Sequence, residues 1–579
     1  MIQQFRNLRV AAATVVERLT DDPALLAVQA SQRLPRTLSS GLASMSVRVF
    51  PSTSSSPVPV MGSLVLGDMA DVERRVQLAS SRLTRAGRAR LLADIALVGN
   101  RPDLSDRLAT QAEGSPRYAA FAARRRWFDG DMAGAVAVLQ DAANAQGQLR
   151  RLQSELDVFR GLRPHLPSIG FTPRRDTVLH VLTNSLPHTE SGYAQRTHSI
   201  LMAQAAAGWN VKAVTRLGYP VHVGKVLARG QDVVDGISYG RLLPGVLRAG
   251  MAGRLQQQAE QLLDVALKVR PSVLHTTTHF ANGLVTAAVA EAIGIPWVYE
   301  VRGQLADTWA ATRSPAALGS DLYRLFQERE GEVMRRADLV VTLGEQMKQS
   351  IVRHGVEPSK VLVCPNAVGG EFLDEPVSPA AARAELGLPI DGQWVGTVSS
   401  LVHYEGLETL LETAALLTSD YPGLRVLLVG SGVAAASLQK RANDLGLGDR
   451  VVFTGRVPRE KARLYHQALD VFVVPRADQQ VTRHVTPLKP VEAMACARPV
   501  LASRLPALAE IVDDGRSGLL ADAGDARDFA IKLKRLLDSA ELRSRLGKAG
   551  RGDVLKNRTW MANVNVLASA YDRLTKDRE

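Results

Sequence analysis

Between Val426 and Val500 the chain alternates short apolar runs with stretches that suit helices, and this rhythm restricts the fold more than any other feature. VLLVG and VVF are continuous apolar runs bounded by glycine, the pattern of parallel strands covered on both faces. Gly430-Ser431-Gly432 turns the chain after the first run, Ala434 to Leu445 reads as a helix, and Gly446 to Arg450 leads into the next strand. Strand, glycine turn, helix and strand make a βαβ unit, which implies a right-handed crossover and a parallel sheet. Such sheets bind ligands at the carboxyl ends of their strands, so Gly430 becomes a candidate binding residue. Glu492 stands just inside a helix expected after Pro490, a lone acid among Pro, Val, Ala and Met. An acid there can accept hydrogen bonds from a ribose diol, while the exposed N–H groups of a helix start favour phosphate.

The same rhythm begins near Arg174, with DTVLHVLTNSLP, PSVLHTTTH, IPWVYEVRG, ADLVVTLG and KVLVCPNAV, and a second set runs from QWVGTVSS to about Leu537. Two doubly wound halves facing a crevice follow from that order. The expected division is a basic helical segment with a Ser/Pro linker over 1–68, a helical accessory domain over 69–170, Rossmann-like domains over 171–370 and 371–555, and a final helix over 556–579. Phe50 to Gly67, rich in Ser, Pro and Val, reads as an irregular linker. YAAFAARRRWFDGDMAGAVAVLQDA reads as one helical hairpin turning at Asp129-Gly130-Asp131 and resembles a tetratricopeptide-type unit. A stack of such units takes about three, so a plain helical accessory domain is the preferred reading.

The net charge of +13 calls for an acidic partner: a phosphate ester, a nucleic acid or an anionic membrane. No basic patch is interleaved with aromatics, which argues against nucleic acid. Arg124-Arg125-Arg126-Trp127 and the basic helices before residue 45 are candidates for peripheral contact with anionic lipid, with a solvated basic face the preferred reading. Cys364 and Cys496 have no metal-site spacing, so reduced thiols in a cytoplasmic protein are expected. No apolar run reaches the roughly 18 residues of a membrane span, and the N-terminus is too charged for a secretory signal. No DxD or His/Cys cluster points to a metal.

From about Asp176 to Lys576 the chain resembles the retaining glycosyltransferase family 4, with its two-Rossmann GT-B fold. YEGL and TPLKPxEAMA resemble a subgroup tied to bacterial surface polysaccharides and exosortases. The resemblance implies a metal-independent enzyme with no cofactor beyond a nucleotide-sugar donor. The implied acceptor is a glycan, a lipid-linked molecule or a small molecule, met in the cytoplasm or at the inner face of the membrane. Glu492 matches the second acid of the family's E-x7-E motif, which binds ribose; the first falls at His484. Ser400 and Glu405 stand where many members carry the Arg and Lys that hold the diphosphate, so the cations are expected from Arg476, Arg483 and Lys489. A carboxylate at position 405 is expected to repel that diphosphate. Gly192 matches the glycine loop near the donor, with His188 and Arg196 adding polar reach. His275 matches the first position of an HxH that lines the active site, and His279 lies close to the second; Arg302 follows the next strand. Arg558 to Leu574 is implied to cross back onto the first domain, with a hinge near Gly370. The alternative is a catalytically silent GT-B scaffold whose helical region recruits partners, favoured by Ser400, Glu405 and His484.

Overall fold

The structure, a computed structural model, describes residues 2–31, 36–50, 56–80 and 86–576. The first half is built on eight strands: β1 (Thr177–Leu182), β2 (Asn210–Thr215), β3 (Gln231–Val234), β4 (Ile237–Arg241), β5 (Val273–Thr277), β6 (Trp297–Val301), β7 (Leu339–Thr342) and β8 (Val361–Val363). They run in the order β3-β4-β2-β1-β5-β6-β7-β8, parallel except for β3 at the edge. The second half has β9 (Gln393–Val398), β10 (Leu424–Val429), β11 (Val451–Gly455), β12 (Val471–Val474), β13 (Val500–Ser503) and β14 (Gly518–Ala521). Their order is β11-β10-β9-β12-β13-β14, all parallel. Strands β1, β5, β6, β7, β12, β13 and β14 are buried along their whole length, as continuous apolar runs require. The strand order reverses direction between β1 and β5 and again between β9 and β12. Loops diverge at such points and leave a crevice.

The last helix, Trp560–Lys576, returns to the first half. Its Trp560, Val564, Leu567 and Tyr571 are buried in one cluster with Val178, Leu182, Ile200 and Leu201. The two chain crossings between the halves lie side by side. Val368 N–H donates to Arg558 at 2.9 Å, and Trp560 N–H donates to Val368 at 3.1 Å.

The segment read as an irregular linker is a correction. Pro57–Leu66 is a helix, with Ser56 Oγ accepting from Val58 N–H and proline in its first turn. Ser and Pro are helix-start residues as well as linker residues, and composition alone does not separate the two uses. Residues 51–55 of that expectation lie outside the described residues. The accessory region is helical, and the hairpin Tyr118–Asp129 and Met132–Leu139 turns at Gly130, with Asp131 capping Gly134 N–H. Its final helix, Gln146–Phe159, is fused to the first half: Phe159 packs edge-on to Phe280 and Phe326 at 5.3 and 5.6 Å.

The arginines that are candidates for lipid contact all have acidic partners among the described residues. Arg124 pairs with buried Asp94 at 2.7 Å, Arg125 with Asp106 at 2.7 Å, and Arg126 with Asp131 at 2.9 Å. Trp127 packs against the core. The Arg124 pair is buried in the helical region, whereas the Arg126 pair lies at its surface. Among the described residues no helix is long and apolar enough to cross a membrane.

Candidate functional site

The loops at the carboxyl ends of β9, β10 and β12 nest at backbone contact. Gly430 has φ +134°, and a Cβ there would lie 1.9 Å from the Ser399 carbonyl oxygen. Gly406, at φ +65°, would place one 2.0 Å from the Pro475 carbonyl. Only glycine lets these three loops meet, so Gly430 brings the β10 loop against Ser399 and shapes the floor of the crevice.

Glu405 ends the helical turn after β9 and is buried. Arg476, just after β12, reaches its Oε1 from Nη2 at 3.0 Å and its Oε2 from Nε at 3.3 Å; Lys489 Nζ reaches Oε1 at 2.7 Å. Burial pushes this carboxyl up, but the two cations outweigh it and hold the pKa at about 2. The expected repulsion of a diphosphate by Glu405 is therefore corrected: its charge is already matched by two cations. Arg476 is buried and spends its other Nη on the Val485 carbonyl at 3.0 Å, so it braces the loop that leads to Lys489. Lys489, with a side chain 22% exposed, keeps donors to spare.

Glu492 lies one turn into the helix Lys489–Ala495, its side chain 25% exposed. Beneath it His466 is fully buried, with Nε2 3.5 Å from Glu492 Oε2. The two other residues expected here are turned elsewhere. Arg483, half exposed, is bound to Asp478 at 2.6 Å, and His484 Nδ1 contacts the Gln480 carbonyl at 2.9 Å on the same short helix. Neither converges with Lys489 and Glu405: Asp478, just before the helix Gln480–His484, holds Arg483, and a carbonyl within that helix holds His484.

Across the crevice, Gly192 starts the helix Gly192–Ala206, with open space beside it and Ser191 Oγ capping Ala194 N–H. Tyr193 and Val485 close over Gly303, where a Cβ would come within 3.3 Å of the Tyr193 hydroxyl and 3.9 Å of Val485. The first half meets the second at this point.

Arg196 and Arg302 do not reach a ligand: both are buried on Glu300. Burial opposes the charge of Glu300, yet Arg302 and Arg196 hold its carboxyl well below the usual range. Arg196 also donates to the carbonyls of Cys364 and Pro365 at 2.7 and 2.9 Å and to Asn366 Oδ1 at 3.3 Å. Asn366 in turn donates to the Thr486 carbonyl at 2.8 Å. A chain of hydrogen bonds thus runs from the interior of the first half to the loop that carries Lys489.

His275 is also displaced from its expected place. It is 1% exposed, stacks on His180 at 4.7 Å and bonds through Nδ1 to the Tyr571 hydroxyl of the last helix. Burial first, then His180, keeps its pKa well below the usual value. It lines no crevice because the returning helix covers it. His279 caps the helix Phe280–Ile293, accepting from Ala281 N–H at 3.2 Å, and its ring lies 4.4 Å from Phe280. Burial holds it near a pKa of 4, so it is neutral at pH 7. His188 pairs with Asp232 at 3.1 Å beside Arg241.

Sequence reasoning missed His466, Asn366, Tyr571 and Glu510. Glu510 accepts from Glu345 N–H at 2.8 Å and Gln346 N–H at 2.7 Å, capping a first-half helix from the second half. No local pattern marks any of the four. Among the described residues no three His, Cys, Asp or Glu converge as metal ligands would.

A sequence profile described as "Glycosyl transferases group 1" matches residues 380–553, and one described as "Glycosyl transferase 4-like domain" matches 191–367. A D-inositol 3-phosphate glycosyltransferase of Mycolicibacterium smegmatis is 30% identical over 431 residues, 70% of this chain and 92% of that one. One of Acidothermus cellulolyticus is 31% identical over 319 residues, 53% of this chain and 68% of that one. Among solved structures, sucrose-phosphate synthase from Thermosynechococcus elongatus superposes with TM-score 0.57 at 23% identity, over 69% of this chain and 100% of that one. Anabaena HepE, solved in complex with UDP, superposes with TM-score 0.54 at 16% identity, over 69% and 100%. The two sheets and the returning helix share the GT-B architecture of these structures.

Proposed function

The chain belongs to the group 1 glycosyl transferases, and from that membership we infer that it moves a sugar from a nucleoside diphosphate sugar to an acceptor hydroxyl. We further propose retention of the anomeric configuration, no need for a metal, and a place in the assembly of a cell-surface polysaccharide or glycoconjugate. The acceptor is then a glycan, a lipid-linked molecule or a small molecule.

The observation that carries this reading is the group of Glu405, Arg476, Lys489 and Glu492 at the crevice between β9 and β12. The family's phosphate-binding pair is missing at Ser400 and Glu405. Lys489 supplies a cation from the other side of the same crevice, and Glu405 holds its amine in place. A leaving diphosphate gathers negative charge, and a fixed ammonium stabilises it. Glu492, one turn on, is placed to accept from the ribose hydroxyls. Arg476 contributes indirectly by fixing Glu405 and the Val485 carbonyl.

The silent-scaffold reading draws on the same group. Arg476 and Lys489 already share a carboxylate, Arg483 is paired with Asp478, and His484 contacts the Gln480 carbonyl of its own helix. Thermal shift across UDP-, GDP-, ADP- and dTDP-sugars separates the two readings, UDP-sugars first because HepE holds UDP. A donor at 100 times its Kd stabilises the native state by about 2.7 kcal/mol. A shift with one nucleotide that disappears in Glu492→Ala supports the transferase; no shift with any donor supports the scaffold.

A further inference from the structure

We propose that His466 is the positioning residue that sets the Glu492 carboxylate for the donor's ribose, a role that rests on the donor-site reading above. His466 lies in the helix Arg459–Ala468 and is 0% exposed. Neither of its ring nitrogens has a hydrogen-bond partner among the described residues. A buried polar ring left unpaired is costly, and a fold seldom keeps one without a use. An apolar side chain of the same shape would fill the space at no such cost.

Its surroundings fix the ring. Phe472 of β12 stacks on it at 5.1 Å with an interplanar angle of 28°, and Phe372 meets it edge-on at 6.1 Å. Held in that plane, the ring points Nε2 toward Glu492 Oε2 at 3.5 Å, just beyond hydrogen-bond length. Glu492 is partly exposed on its other side. A small rotation of the carboxylate closes the gap. A proton on Nε2 is then donated to Oε2, leaving Oε1 to accept from the ribose diol. Contacts of this kind are often long before the ligand arrives and shorten with it. The histidine touches no substrate and acts only through Glu492.

Recognition of the ribose hydroxyls is the property that this arrangement controls. The test is calorimetric binding of UDP, GDP and ADP, and of their 2′-deoxy forms, to the full chain. It is run on native protein, His466→Phe and His466→Gln. The native protein is expected to prefer the ribonucleotide by about tenfold, as one hydrogen bond to a charged group gives. In His466→Phe, which keeps the ring stack, that preference falls to about twofold with the melting temperature unchanged or raised. In His466→Gln, which restores a donor, part of the preference returns. A purely structural histidine would give the opposite result: His466→Phe folded, with the native preference intact. That outcome overturns the inference while leaving the donor site standing. Failure of all three nucleotides to bind native protein overturns the donor-site reading and this inference with it. If His466→Phe does not fold, His466→Leu gives the same comparison.

Discussion

Lys489 Nζ and Glu405 Oε1 are 2.7 Å apart, and Arg476 Nη2 shares the same oxygen at 3.0 Å. One carboxylate after β9 therefore answers for cations 71 and 84 residues further along the chain. Glu405→Gln keeps the shape and removes the charge, leaving buried Arg476 and partly buried Lys489 facing each other. Urea denaturation at pH 7 should show a loss of about 3 kcal/mol. The folded pKa, about 2, lies below the ordinary 4.5, so this contribution is complete above about pH 4.5 and lost as pH falls toward 2. The gap between native and variant should close over that interval.

Glu330 behaves in the opposite sense. It is buried, accepts from Leu305 N–H at 2.9 Å, and burial pushes its carboxyl up to about 7. Its folded pKa lies above the ordinary 4.5, so stability falls as pH rises from about 4.5 to 7 and then levels off. Glu330→Gln should raise unfolding free energy by about 2 kcal/mol near pH 8 and change little near pH 4.5. A variant that is destabilised at both pH values would show that the carboxyl is needed in its charged form.

Tyr571→Phe tests the seat of the returning helix. The hydroxyl bonds to His275 Nδ1 and accepts from Gln204 Nε2 at 3.3 Å. Its removal leaves His275 buried with no hydrogen-bond partner on either nitrogen among the described residues. The expected cost is about 1–3 kcal/mol, seen in thermal melts. Amide hydrogen exchange along Trp560–Lys576 should accelerate.

Arg124→Ala separates a structural role from a membrane role. Asp94, 2% exposed, would keep Arg90 at 3.0 Å as its one ion-pair partner among the described residues. The variant should lose about 3 kcal/mol. Flotation with anionic vesicles should be unchanged, because the lost charge faces Asp94 and not lipid. A fall in vesicle recovery without loss of stability would support the lipid contact.

Much of the architecture is legible in local pattern, because buried parallel strands announce themselves as apolar runs between glycines. VLLVGSG marks β10 and its turn, and the acid Glu492 near a helix start is visible from its neighbours alone. Partners across the chain leave no such mark. Nothing near Glu405 shows that Arg476 and Lys489 will fold onto it, so its charge reads as a defect until the loops after β9 and β12 come together. His275 reads as a crevice histidine because its strand ends there; only the distant Tyr571 covers it. Arg124 to Arg126 read as a basic patch because their aspartates come from other helices and turns.

The paired crossings at Val368 and Thr559 also decide how the molecule can move. A domain tethered by one peptide segment can swivel in any direction. Here two segments leave the first half together and are stitched to each other by backbone hydrogen bonds, like the two leaves of a door pin. Such a joint gives easily about the single line that runs through both crossings and resists twist about any other. Any relative motion of the two halves would be confined mainly to that one angle.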